Sequence, residues 1–305
     1  MSQTLSPATG LRYGLARVAR AWRRSRATVY RRRAADGAAA PSRLLRPGPV
    51  GACPDAELVG HIRAQILGSR LHGEGYRKIW ARLRHAGIRT SARRVRRLMG
   101  AHGLLAPHRV GRPGQRAHDG SITAAAVDAM WGTGMTEAVT LAEGKARVLV
   151  AVDHCSGECV GSHAAASGNR FEALEPVRQG VLRHFGSIGR GIAHALALRH
   201  DHGSNYMSAD FQDEIAFLGI ESSPSFIRQP GNGVAERFIR TLKENFLWVH
   251  TFDTIEELRR GLQDFVAHYN ATWLVARHGY RTPNQLRAQQ RSLAQSATAN
   301  LPLAA

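Results

Sequence analysis

The chain has 305 residues, enough for two or three domains, and carries a formal charge of +19. That charge is lopsided: residues 1–118 hold 25 of the 42 Lys and Arg but only 4 of the 23 Asp and Glu, and the remainder is close to neutral. A basic front half on a neutral rear half argues for an arm that binds a polyanion. Arg in place of Lys fits a compositional bias, which does not explain the asymmetry. Three cysteines (Cys53, Cys155, Cys159) give no disulfide framework, which fits a reducing cytoplasm, and the flanked pair Cys155/Cys159 beside His154 is read as structural thiols. No apolar run is long enough to span a bilayer, and the start lacks the pattern of a secretory signal.

In chain order, residues 10–35 read as two short helices broken near Arg24-Ser25. Leu15, Val18, Ala19 and Trp22 form an apolar face on the first, and Arg31, Arg32 and Arg33 stud the second. This is a helix-turn-helix pattern, whose second helix enters the major groove. Residues 36–54, rich in Ala, Pro and Gly, read as a linker. Residues 55–104 form a second helical block: Leu58, Ile62 and Ile66 on one face, Tyr76, Ile79, Trp80 and Leu83 on another, then Ser91 capping a helix with Val95, Leu98 and Met99. Arg93, Arg94, Arg96 and Arg97 on that last helix are candidate phosphate contacts, which supply affinity without sequence choice. Residues 105–122 are a second, basic linker.

From residue 123 the pattern changes. Met130–Thr140 and Val148–Val152 read as strands joined by a turn over 142–145, and Cys159–Ala164 as a third. Phe171–Phe185 reads as a helix with Leu174, Val177, Val181 and Leu182 inward. An apolar run, Ala195–Leu198, reads as a buried strand that delivers Asp201 to its open end. After Gly231-Asn232-Gly233, a helical pattern places Glu236, Arg240 and Lys243 on one face. Two carboxylates and neighbouring cations suit a hard metal beside a phosphate chain. Ile255–Asn270 is a further amphipathic helix, with Leu258, Leu262, Phe265 and Tyr269 inward, and residues 291–305 read as a frayed tail. Trp131 and Trp248 read as core, and His200 and His202 either as phosphate contacts or as solvated loop histidines.

The segments Asp201-His202-Gly203-Ser204-Asn205-Tyr206, Leu218-Gly219-Ile220 and Asn232-Gly233-Val234-Ala235-Glu236-Arg237-Phe238, with Lys243 seven residues after the Glu, carry a specific combined pattern. It resembles bacterial insertion-sequence transposases of the DDE, retroviral-integrase-like superfamily, over roughly residues 10–290. Thirty-four residues separate Asp201 from Glu236, one fewer than the family's usual spacing, which points to a shortened loop near Pro230-Gly231. The Gly-Tyr-Arg-Lys-Ile-Trp run from Gly75 resembles the helix-turn-helix ahead of the family's core.

The resemblance implies an RNase H-like mixed five-stranded sheet with flanking helices over 123–290, behind all-α helix-turn-helix modules. It implies cleavage and strand transfer with two Mg²⁺ or Mn²⁺ ions bridging the scissile phosphate. Asp201 and Glu236 would be metal ligands; Lys243, Arg240 and Asn232 would contact DNA. The partners would be double-stranded DNA (element ends and target) and further copies of the chain, in the bacterial cytoplasm at the nucleoid. One position departs from the pattern. In Trp131-Gly132-Thr133-Gly134-Met135-Thr136, Gly134 stands where the family has its first catalytic Asp. Glu137 should point to the opposite face and Asp128 lies too far along the strand, leaving Asp153 as the candidate substitute ligand. The expectation is therefore an impaired transposase. The alternatives are a non-catalytic DNA-binding relic or regulator of the element ends and a host RNase H-like nuclease, which the basic front half disfavours.

Overall fold

A computed structural model describes residues 3–37, 53–107, 124–225 and 231–299. The chain divides into two compact units, residues 1–52 and 53–305. Most of the 36–54 and 105–122 linkers, the loop before Gly231 and the last six residues lie outside the described residues.

In the first unit, α1 (Gly14–Ala21) and α2 (Arg26–Gly37) flank a turn in which Arg23 takes a left-handed φ of 50°. The Ser25 hydroxyl accepts the Thr28 N–H and starts α2. Trp22, expected on the apolar face, is 65% exposed, because it lies beyond the end of α1. α2 continues two residues into the expected linker.

The second unit opens with three helices, α3 (Asp55–Leu67), α4 (Tyr76–His85) and α5 (Ala92–Ala101). Their facing apolar positions, Leu58, Ile62, Ile79, Leu83, Val95, Leu98 and Met99, make one small core. Ser91 caps α5 as its sequence predicts, accepting the Arg94 N–H at 3.1 Å. Arg94 and Arg97, however, both reach Asp55 at the start of α3, at 2.8 and 2.6 Å. These two arginines tie α5 to the start of α3, and Arg97 stays exposed in doing so, as do Arg93 and Arg96.

The sheet follows: β1 (Met130–Thr140), β2 (Gly144–Asp153) and β3 (Cys159–Ala165) are antiparallel, α6 (Arg170–Phe185) crosses over, and β4 (Ala197–His200) returns parallel to β1. Helix α7 (Ala209–Phe217) leads to β5 (Glu221–Pro224), completing the order β3-β2-β1-β4-β5. The expected strand at Ala195–Leu198 starts two residues later, because Ala195 has φ 71° and cannot pair in a sheet. β5 is a short, polar edge strand that carries no apolar period.

Helix α8 (Gly233–Leu242), a π-helical turn (Lys243–Leu247), α9 (Ile255–Thr272), a 3-10 turn (Ala276–His278) and α10 (Pro283–Ala299) complete the chain. α10 runs eight residues beyond the point where fraying was expected. One sheet face (Trp131, Leu149, Ala151, Val160) packs on α6 and α7; the other (Val148, Val150, Val152) packs on α8 and α9. Burial on both faces explains the continuous apolar run in β2. On α6, Leu174, Val177 and Val181 face the sheet, but Leu182 is 56% exposed, since one further residue turns it about 100° away. Trp131 is fully buried as expected; Trp248 is 70% exposed because it follows the π-turn, past the packed face of α8.

Helix α6 approaches β3 so closely that a β-carbon on Gly161 would overlap the backbone carbonyl of Pro176. Neither backbone can yield without opening the α6–sheet layer. Gly161→Ala is therefore expected to cost about 1–3 kcal/mol, measured by urea unfolding.

Candidate active site

The open end of β4 and the start of α8 converge on the middle of β1. In the parallel pairing Met130 sits beside Ala197 and Gly132 beside Arg199, where the pairing ends, two residues before Gly134 on β1 and Asp201 after β4. Asp201 is exposed and leaves the strand in a turn, its Oδ1 accepting the Gly203 N–H at 2.8 Å.

His200 is not a solvated loop residue. It is fully buried, with Nδ1 2.8 Å from the Asp201 carbonyl oxygen and Nε2 2.9 Å from Ser222 Oγ, and it stacks on Tyr206. Burial pushes its pKa down, which favours a neutral ring bracing the strand end. His202 is exposed, and its Nε2 lies 2.7 Å from the Ser225 carbonyl oxygen.

Asn232 fixes how α8 lies on β1. Its Nδ2 donates to the Thr133 carbonyl at 2.5 Å, and its Oδ1 is 3.4 Å from His154 Nε2. Gly132 makes room for this clasp, since a β-carbon there would collide with Asn232 Oδ1 and the His154 ring. Asn232, expected to contact DNA, thus has its amide turned to the strand. Four residues on, Glu236 is exposed in the first turn of α8, where the helix dipole favours a carboxylate. Arg240 is exposed and Lys243 half-buried at the start of the π-turn, so the three continue along the outer side of α8.

Gly134 lies beneath this helix. A β-carbon there would meet Ile239 Cδ1 at 2.7 Å and Ala235 Cβ at 3.8 Å. The place of the family's first carboxylate is therefore lined by methyl groups.

Asp153 does not fill the gap. It pairs with Trp131, whereas Gly134 pairs with Val150, and strand alternation sends its side chain to the opposite face. There it is fully buried: Oδ1 accepts the Ser156 N–H and hydroxyl at 2.6 and 2.7 Å, and Oδ2 accepts the Asp128 N–H at 2.9 Å. Burial pushes its pKa up. Glu137 points away from the site, as expected, and pairs with Arg147. Cys155 and Cys159 are both buried, and burial pushes their thiols up.

Among the described residues no three His, Cys, Asp or Glu side chains come together to hold a metal ion. A two-metal centre requires a carboxylate shared by both ions, and the residues present do not fit one. Ile239 and His154 are the site residues that sequence reasoning missed. Nothing in the pattern of an apolar helix position or a post-strand histidine announces what lies across the interface.

The order of the sheet, with a helix crossing β1 beside the end of β4, defines an RNase H-like core of the integrase type. An HTH-like domain family matches residues 55–112, and an integrase core domain family matches residues 221–283. Transposase InsD for insertion element IS2A/D/F/H/I/K of Escherichia coli is 27% identical over 225 residues, covering 71% of this chain and 74% of the relative. In sequence the chain is thus similar to an insertion-sequence transposase, with an integrase core domain match in its second half.

Solved structures with a similar fold include the catalytic core domain of BIV integrase (18% identity, TM-score 0.41, 55% of this chain and 99% of that one). Another is the simian T-cell lymphotropic virus intasome in complex with PP2A regulatory subunit B56 gamma (16% identity, TM-score 0.43, 77% and 74%). A third is the HTLV-2 integrase catalytic core domain in complex with magnesium (17% identity, TM-score 0.38, 52% and 95%). Among the described residues no helix is long and apolar enough to cross a membrane.

Proposed function

We propose that this chain binds the double-stranded ends of an insertion sequence in the manner of a DDE transposase, and that its strand-transfer centre is impaired at Gly134. The observation that carries the reading is the clasp of α8, the helix of Glu236, onto β1 through Asn232 and Thr133, with Gly134 packed under Ile239 of that helix and Asp201 following β4, the strand paired with β1. Two of the three carboxylate positions of the family pattern are kept in the sequence, and the third is a glycine packed under Ile239. Asp201 and Glu236 are the carboxylates an Mg²⁺ or Mn²⁺ ion would use, too few for a shared pair of ions. Arg240 and Lys243, on the outer side of the same helix, would hold the terminal phosphate. Arg93 and Arg96 on α5, and Arg31 and Arg32 on α2, are exposed cations on helices of helix-turn-helix pattern, suited to duplex phosphates. Joining two ends to a target calls for further copies of the chain on DNA.

The methyl groups packed against Gly134 also favour a second reading, a non-catalytic protein that occupies the ends and regulates an active relative. End binding is common to both readings, so it is tested first. The full chain should retain a duplex of the element's terminal sequence more tightly than a scrambled one, with affinity falling steeply as salt rises. Arg93→Ala and Arg96→Ala should each reduce the log–log salt slope by about 1. Equal binding to both duplexes, with no change of slope, would remove the basis for either reading.

A further inference from the structure

The loop between α3 and α4 is not a surface connection. Leu71 is 3% exposed and sits in the core of the catalytic domain with Leu242, Phe246 and Phe265, far along the chain from its own helices. Ser69 shapes the loop: its hydroxyl accepts the Leu71 N–H at 3.2 Å and lies within hydrogen-bond distance of the Leu71 carbonyl and of Glu74 Oε2. Glu74, itself buried, receives the Arg82 guanidinium as a two-pronged pair at 2.7 and 2.9 Å. Arg82 also donates to the Thr272 carbonyl at the end of α9, and Trp80 meets Tyr280 edge-on. The helical domain is thus anchored to the core from its α3–α4 side, and Arg93 and Arg96 on α5 stay exposed.

The tip of this loop ends on one side chain. The His72 N–H donates to Asn245 Oδ1 at 2.5 Å, and Asn245 Nδ2 donates to the Thr241 carbonyl at 3.0 Å. Asn245 is 4% exposed and stands in the middle of the π-turn Lys243–Leu247. Thr241 offers the carbonyl four residues back, the one that the backbone N–H of residue 245 would take in an α-helix. Inside a core, a widened turn persists only where other groups satisfy the displaced backbone, and such turns recur at functional sites. Asn245 can serve Thr241 at low cost only while His72 serves its Oδ1, because a buried amide oxygen left unpaired is costly.

We propose that the Leu71–His72 loop is a positioning plug: through Asn245 it holds the π-turn that begins at Lys243, so that the seating of the helical domain sets the aim of Lys243. This rests on the reading of Lys243 as a contact to the terminal phosphate. Asn245 and His72 do not themselves reach DNA; they act through Lys243. Releasing the plug would relax the π-turn and uncouple Lys243 from the bound end, while α5 kept its own phosphate contacts.

The test uses the full chain and two readouts. In hydrogen exchange without DNA, Asn245→Ala is expected to speed exchange about tenfold or more at His72 and throughout 243–249, with α9 unchanged. Asn245→Asp, which keeps an acceptor for the His72 N–H, should leave His72 protected. Leu71→Val carries the same expectation in weaker form if Asn245→Ala does not fold. In binding to the terminal duplex, Lys243→Ala should weaken affinity about tenfold in the parent and less than about twofold in the Asn245→Ala background. An opened His72 with an unchanged 243–247 segment, or an equal cost of Lys243→Ala in both backgrounds, overturns the plug. If Lys243→Ala costs nothing in the parent, the phosphate role of Lys243 fails instead, and the exchange result alone decides the plug.

Discussion

Gly134→Asp is expected to raise Mn²⁺-dependent strand transfer of the terminal duplex by at least about a hundredfold over the unaltered chain, some 2.7 kcal/mol of barrier. The change supplies the carboxylate that the family pattern expects alongside Asp201 and Glu236. It meets one obstacle, the Ile239 Cδ1 atom 2.7 Å from the new β-carbon. That atom is the far end of a half-buried side chain, which can rotate aside, whereas the next neighbour, Ala235 Cβ at 3.8 Å, is in ordinary contact. Shortening the obstacle should therefore help: Gly134→Asp/Ile239→Val is expected to exceed Gly134→Asp alone. Adding Glu236→Gln to either should return the rate to background. The measurement is strand joining on a gel with the element's terminal duplex. Equal joining by the unaltered chain would show that the first carboxylate is not needed. Inert variants that still bind the ends would point to the loop before Gly231.

The largest effect on stability is expected at Arg287, on α10. It is 5% exposed and bridges two carboxylates, Glu158 in the β2–β3 turn and Asp128 before β1; its Nη2 donates to Asp128 Oδ1 at 3.0 Å. His184 Nε2 lies 3.4 Å from the other Glu158 oxygen, and the Trp131 indole donates to Asp128 Oδ1 at 3.1 Å. One guanidinium thus ties the C-terminal helix to the beginning of the central strand. Arg287→Met keeps most of the packing but leaves Glu158 as an uncompensated buried charge. It should cost about 3–5 kcal/mol at pH 7, lowering Tm by roughly 10 °C. Arg287→Lys should recover only part of this, because an ammonium cannot fork between two carboxylates. A loss below about 1 kcal/mol would show that the cluster contributes nothing beyond a surface pair.

The pH dependence follows from Glu158. Burial raises its pKa, but the His184 ring and the Arg287 guanidinium outweigh burial and hold it below the usual 4.5. A depressed carboxylate contributes stability that is present above its unfolded pKa and lost as pH falls through the folded one. The gap between parent and Arg287→Met should accordingly narrow as the pH drops below about 4.5. Asp153 has the opposite sign: burial raises its pKa against the pull of Ser156, the Asp128 N–H and Arg287, so its contribution fades as pH rises, and losing Arg287 should raise it further.

The strands β1, β2 and β3, helices α6 and α9 and the Ser91 cap were legible from periodicity and capping, because each depends on nearest neighbours along the chain. Asp201, Glu236 and Gly134 were legible as a family pattern, and the glycine where that pattern expects a carboxylate was visible in the residues themselves. What the sequence could not state was which groups meet across elements. Strand parity at Gly134 and Asp153 depends on the β1–β2 register, and that register puts Asp153 opposite Trp131, on the wrong face. That Arg94 and Arg97 both pair with Asp55 of α3 is likewise invisible along the chain. Trp248 looks like core until the π-turn carries it out, and β5 has no apolar period because an edge strand needs none. Ile239 over Gly134, Asn232 on Thr133 and Leu71 inside the core between the sheet and α9 are decided by packing between distant segments. Local propensity is written residue by residue, but a contact between positions far apart in the chain exists only once the layers have closed.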